Sequence, residues 1–322
     1  MLLSYIGCGN FPDADIIVFG NEEGTGGYSV EANVKARVEL YGRDSNSSAA
    51  PTYLIDPNDW TKGFYEPSAS GGAKKVENYV DSANIQQSGF VAGVFNPSIA
   101  RICLALEDPS LGWFSEEDES AERKKEAWAR IKSYIINDLY EPRKGIQTAL
   151  ADWRPLPRAN ESTWYPEEYG DIANSLKNNQ YLDVFNRPDR NTFNNKNYTK
   201  PEFSNFTVDR LNRSDTLKRL FQFSKAKVVI GIGGANGFKK KALEMMFGKD
   251  LFTPLAFDTV DMRNNRGHQI QSFTAQLQLE DKTIHVFLIP FPSVGQIFKT
   301  QKDSLGMLKE LTERYIKPII ES

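Results

Sequence analysis

The most constraining feature of the chain is a pair of apolar runs that close on glycine: Asp15-Ile16-Ile17-Val18-Phe19-Gly20, and Ala226-Lys227-Val228-Val229-Ile230-Gly231-Ile232-Gly233. Neither alternates polar with apolar residues, so each predicts a strand buried on both faces, the habit of a parallel sheet covered by helices. Helical patterns lie between such runs. Residues from Asn96 through Leu106 read as a helix capped by Asn96 or Ser98, and Glu116 to Tyr140 as a second whose acidic start suits the positive end of its dipole. Thr148 to Trp153 reads as a short strand halted by Pro155 and Pro157, Ser214 to Phe223 as a helix, and Lys239 to Phe247 as another. Phe273 to Leu279 and Thr283 to Pro290 alternate around Glu280-Asp281-Lys282 and predict an antiparallel hairpin; Ser304 to Ile320 predicts a closing amphipathic helix.

This order predicts an α/β fold, a three-layer α/β/α sandwich with a mainly parallel central sheet. The 322 residues are read as a single domain, 1–322, with polar insertions near 41–89 and 158–213. In such sheets ligands bind outside the carboxyl ends of the strands.

Composition narrows the chemistry. A net charge of -3 opposes attraction of the whole surface to nucleic acid, so any such contact needs a local basic face. Two cysteines and two histidines, Cys8, Cys103, His268 and His285, are too few for a disulfide framework or a zinc centre, and neither a metal nor another cofactor is expected. The start Met1-Leu2-Leu3-Ser4-Tyr5-Ile6 lacks a secretion signal's basic opening, and no apolar run approaches the roughly 20 residues of a membrane span. A cytoplasmic protein is expected, with no membrane and no obligate protein partner.

Three loops follow three of the predicted strands: Gly20-Asn21-Glu22-Glu23-Gly24, Asp152-Trp153-Arg154-Pro155-Leu156-Pro157-Arg158, and Pro290-Phe291-Pro292-Ser293-Val294-Gly295. In kind and order they resemble the uracil-DNA glycosylase superfamily. There the first strand ends in a glycine-led motif with an acid or amide before proline, the second in an asparagine-bearing segment often followed by Pro-Leu-Pro, and the last in His-Pro-Ser or Asn-Pro-Ser. The resemblance covers the sheet framework and not the two insertions. It implies a DNA glycosylase that extrudes its target base and cleaves the N-glycosidic bond to leave an abasic site.

Matched by position, Glu22 falls where the family holds the carboxylate that orients water or stabilises charge developing on the sugar, with Glu23 in place of the usual proline and in reserve for the same role. Both acids suit equally a solvent-exposed place at a helix start. Asp152 replaces the asparagine that reads the base edge. An ionised carboxylate only accepts hydrogen bonds, so Asp152 favours a base with an exocyclic amine such as cytosine; pairing with Arg154 or Arg158 is its alternative role. Asn21 and Tyr28 complete the implied base pocket, Tyr28 by stacking or by packing behind it.

Phe291 stands where the family often has histidine. Pro292, Ser293, Val294 and Gln296 belong to the loop that presses the minor groove, or else form an ordinary strand-to-helix turn. Arg154, Arg158, Lys239 and Lys240, with Lys241, are the expected phosphate contacts beside the glycine loop Gly231 to Gly237, although a solvated helix start is the commoner fate of such lysines. Arg187, Arg190, Arg210 and Arg213, interleaved with aromatics, offer a further stacking and phosphate surface.

The enlarged insertions and Asp152 point toward a bulky, modified cytosine, and the superfamily includes anti-phage branches that attack such bases. A catalytically silent relative that binds nucleic acid or a nucleotide is the second reading, favoured by Phe291 and Glu23. A nucleotide-dependent oxidoreductase built on the glycine loop, with Asp258 as the ribose acid, is the third.

Overall fold

The computed structural model describes residues 6–21, 94–114, 120–155, 201–233, 237–264, 266–295 and 297–322. Their core is a seven-stranded sheet: β1 (Gly7–Gly9), β2 (Ile16–Gly20), β3 (Thr148–Asp152), β4 (Val228–Ile232), β5 (Thr253–Leu255), β6 (Ser272–Gln278) and β7 (Thr283–Ile289), in the order β1-β3-β2-β4-β7-β6-β5. The four central strands, β3-β2-β4-β7, are parallel neighbours, whereas β1 joins β3, β6 joins β7 and β5 joins β6 antiparallel. The α/β class holds. The sheet is mixed rather than mainly parallel, because short antiparallel strands extend the parallel centre at both sides.

The apolar runs do what their pattern requires. Along β2, Ile16 and Val18 enter one apolar cluster while Ile17 and Phe19 enter the other, and all four are fully buried. Burying each such side chain contributes about 1.5–3 kcal/mol relative to exposure. The Ile16 face is covered by α1 (Phe95–Glu107), α2 (Ala121–Asn137) and α5 (Gln301–Glu310), and the Ile17 face by α3 (Pro201–Phe223) and α4 (Phe238–Phe247). Helices therefore lie on both faces. The chain passes from β2 to β3 on one side and returns to β4 on the other, so the strand order reverses beside β2, where open α/β sheets form a crevice.

Local details correct several expectations. The Ser98 hydroxyl lies within the first turn of α1 and donates to the Val94 carbonyl at 2.6 Å, so Ser98 is not the cap. The true side-chain cap on α2 is Ser120, which accepts from the Arg123 amide at 3.3 Å. Helix α3 begins at Pro201, inside the stretch read as an insertion, and β1 and β5 had no expectation at all. The closing helix is interrupted: a π-helical turn, Leu311–Ile316, separates α5 from α6 (Lys317–Glu321), just ahead of Pro318, which has no amide to donate. The insertion near 41–89 lies outside the described residues. No helix among the described residues is long and apolar enough to cross a membrane.

At the start of that closing segment Glu310 clamps the chain that follows β5. Its carboxylate accepts from the Asp258 amide at 2.9 Å, the Thr259 amide at 3.0 Å and the Thr259 hydroxyl at 2.6 Å, and Arg314 adds an ion pair at 2.8 Å. Burial pushes this carboxyl up, but the Thr259 and Asp258 donors and Arg314 together hold it below its ordinary value of 4.5. A carboxylate with a depressed folded-state pKa stabilises the fold above its unfolded value, and that contribution disappears as pH falls through the folded one. Glu310→Gln is thus expected to cost about 1–3 kcal/mol at pH 7 by urea denaturation. The difference from wild type should shrink as the pH drops below 4.5, and an equal cost at pH 3 and pH 7 would contradict the clamp.

Candidate functional site

Because β3, β2, β4 and β7 run parallel, their carboxyl ends share one edge of the sheet. The chain leaves that edge at Asn21, at Trp153, at Gly233 and at Pro290, so the three motif loops and the glycine loop depart side by side. Of the residues expected at the site, Glu22, Glu23, Tyr28, Arg158 and Gln296 lie outside the described residues.

The first two exits are stitched together. Gly20 stands opposite Asp152 in the β2–β3 register, the Trp153 amide donates to the Gly20 carbonyl at 3.1 Å, and the Arg154 amide donates to the Asn21 carbonyl at 2.7 Å. Glycine at position 20 permits this approach, since a Cβ there would fall 2.0 Å from Asp152 Oδ1. The backbone at the end of β2 and the Asp152 carboxyl group therefore touch. From the other side the Asp152 amide donates to the Ile6 carbonyl at 2.7 Å, which is how the short β1 helps seat the residue.

Charge is concentrated and buried here. Asp152 and Arg154 are each 2% exposed and Arg213 is 4% exposed. Charged side chains at this depth persist only in polar company. The Arg213 guanidinium, reaching from α3, donates to the Asp152 carbonyl. The Arg154 guanidinium lies 4.3 Å from the centre of the Phe238 ring, linking the β3 exit to the start of α4. Arg154 and Arg213, expected from sequence as phosphate contacts, thus stand in the interior of the site beside Asp152.

Two of the lysines expected at phosphates make contacts within the protein. Lys239 is 1% exposed, its stem passes over Gly231, and its ammonium donates to the Ile232 carbonyl at the end of β4. It satisfies a strand-end acceptor. Lys240 pairs with Glu244 at 3.3 Å and stands 5.1 Å from the centre of the Phe273 ring. Asp258, the ribose acid of the oxidoreductase reading, is paired with Arg314 after an antiparallel edge strand, and does not follow the next parallel strand.

The loop after β7 is tightly knotted. The Ser293 carbonyl accepts from the Phe298 amide at 3.0 Å, the Gly295 amide donates to Phe298 at 2.8 Å, and the Ser304 hydroxyl holds the Pro292 carbonyl at 2.9 Å. Pro292 is buried and Ser293 half-buried, while Phe291 and Val294 are exposed by 37% and 44%. Phe291 leans across the β4 exit, its ring 3.4 Å from where a Cβ on Gly233 would be. Loop and sheet thus hold two apolar side chains in solvent at the edge where the exits meet.

Cys103 and His285 lie away from this edge. Burial pushes the Cys103 thiol up to about 12, and His285 is shifted below its ordinary value by burial. Two hollows of about 260 and 390 Å³, one lined by Phe257, Met262 and Arg263 and the other by His285, Phe287 and Tyr315, include none of the expected site residues. No family model matches the chain, and neither do any curated protein or solved structure.

The contact between Gly20 and Asp152 has a direct test. Gly20→Ala is expected to cost about 1–3 kcal/mol, the usual range for a misfitting core methyl. Asp152→Ala in the same chain should recover much of that loss, because it deletes the atom the new methyl strikes. Additive losses in a double-mutant cycle of urea midpoints would show that the two positions do not touch.

Proposed function

We propose that the chain is a DNA glycosylase that hydrolyses the N-glycosidic bond of an extruded, modified cytosine, and so resembles the uracil-DNA glycosylase superfamily in mechanism. The observation that carries this reading is the stitched exit of β2 and β3, which sets Asn21 against the Arg154 backbone and Gly20 against Asp152. An acid for the sugar and an acceptor for the base must be neighbours in such an enzyme, and Glu22 follows Asn21 directly in the chain.

In this mechanism the base leaves the stack, and its exocyclic amine donates to the Asp152 carboxylate. Cleavage builds positive charge on the sugar, which Glu22 offsets while orienting the attacking water, with Glu23 its alternate. Val294, held outward by the knotted loop, enters the minor groove with Pro292, Ser293 and Gln296 of the same loop and supports the gap left by the base. A bulky cytosine substituent, such as the glucosyl group of phage DNA, fits an enzyme of anti-phage defence. One observation favours the second reading, a catalytically silent DNA-binding relative: Phe291 presents an apolar ring where a donor to the leaving base is expected.

Incubation with duplexes containing uracil, cytosine or glucosylated hydroxymethylcytosine, followed by alkali, separates the two. Strand breaks are expected at the modified cytosine, with the rate falling about 100-fold or more in Glu22→Gln. Asp152→Asn should move preference toward uracil, since an amide both donates and accepts. Absence of breaks in every duplex contradicts the enzymatic reading, and an undiminished rate in Glu22→Gln contradicts the assignment of that acid.

A further inference from the structure

The functional edge extends beyond the four parallel strands. Because β6 is antiparallel to β7, it begins where β7 ends, with Phe273 opposite Leu288. Leu255 at the end of β5 stands opposite Ser272. The connecting residues 256–271 therefore emerge at the same edge as the motif loops.

Their outer part is a small, well-defined hairpin. Arg263 and Gln269 form an antiparallel bridge, and the Ile270 amide donates to the Met262 carbonyl at 2.7 Å. At the tip, the Asn264 side-chain oxygen accepts from the Arg266 amide at 3.0 Å and the His268 amide at 2.9 Å. Met262 is buried at the root with Phe298 and Leu305, and Val260 packs beside Gly306 of α5. The root is packed against the core, and Arg263, Arg266, His268 and Gln269 are exposed.

Charge is sorted along this segment. Its two acids are engaged at the root, Asp258 by Arg314 and Asp261 by Lys299 at 2.9 Å. Arg263 and Arg266 have no acidic partner among the described residues. The Lys299–Asp261 pair also ties the hairpin to the segment that follows the Phe291–Val294 loop. A chain of net charge -3 thus presents two guanidinium groups without an acidic partner among the described residues, on a braced arm at the edge where its exposed Phe291 and Val294 stand.

We propose that this hairpin is the arm that grips the phosphate backbone of duplex DNA beside the extruded base, with Arg263 and Arg266 as the phosphate ligands. The proposal rests on the reading of the chain as a DNA-acting protein and names the surface that binds the strand. Guanidinium forks match phosphate oxygens in paired hydrogen bonds, and a preformed turn limits the ordering needed on binding. Lipid surfaces are recognised by clusters of about 4–8 basic residues, which this arm lacks.

The test uses the full chain and a 30-base-pair duplex carrying a tetrahydrofuran abasic analogue, with affinity followed by fluorescence anisotropy across a salt series. For R263Q/R266Q, affinity is expected to fall about tenfold or more, and the slope of log affinity against log salt to decrease by about two. K124Q/K125Q, which removes equal charge from exposed positions on α2, should leave the slope unchanged. An unchanged slope and affinity in R263Q/R266Q overturns the proposal. The two readings fail differently. Intact, hairpin-dependent binding without alkali-labile sites would sink the glycosylase reading alone, whereas base release with an unaltered salt slope would sink the hairpin alone.

Discussion

The pairing of β2 with β3 on one side and β4 on the other is the interaction on which the rest of the structure depends. Ile16, Ile17, Val18 and Phe19 divide alternately between the two apolar clusters, so this one strand nails both helical layers to the sheet. Its parallel register also decides what happens at the edge. Had β3 been antiparallel to β2, Asp152 would lie at the opposite end of the sheet from Asn21. Instead Gly20 faces Asp152, and two backbone hydrogen bonds carry the pairing one residue past the strands.

Around that contact the molecule spends its buried charge on position. Arg213 reaches in from α3 to the Asp152 carbonyl, Arg154 lies over Phe238 of α4, and Lys239 satisfies the end of β4. Together they join α3 and α4 to the carboxyl edge, so three cations that look like ligands for phosphate in the sequence act here as fasteners. Exposed cations lie further out, on the hairpin between β5 and β6, where ion pairs at the root leave Arg263 and Arg266 facing solvent. Interior cations set the geometry of the site, and outer ones set the charge a ligand meets.

How much of this could be read from the residues follows from burial. β2 and β4 were legible because both faces are covered, which demands unbroken apolar runs, and the β6–β7 hairpin because its strands alternate. β1 was not, since Gly7-Cys8-Gly9 has no pattern of its own and becomes a strand only by pairing with β3. β5 hides behind Pro254, tolerable there because the strand lies at the edge of the sheet. The first half of α3 directly follows the Asn- and Arg-rich stretch at 187–200 and reads with it as one insertion, so only the second half, with Leu217 and Phe221, is legible as helix. The inward turn of Lys239 has one sequence signal, the missing side chain at Gly231 that makes room for its stem. The hairpin's signal was the Asn-Asn-Arg-Gly turn at 264–267, which carries weight only once its place beside β7 is known.

The central claim is that a base enters the edge formed by the exits of β2 and β3. The most direct measurement is photo-cross-linking of the full chain to a duplex carrying a single 5-iodocytosine, with the modified peptide located by mass spectrometry. Adducts between Asn21 and Tyr28, or between Asp152 and Leu156, are expected. Adducts confined to the far end of the sheet, around His285 and Tyr315, or none above the level of an unrelated protein, would contradict the placement of the base.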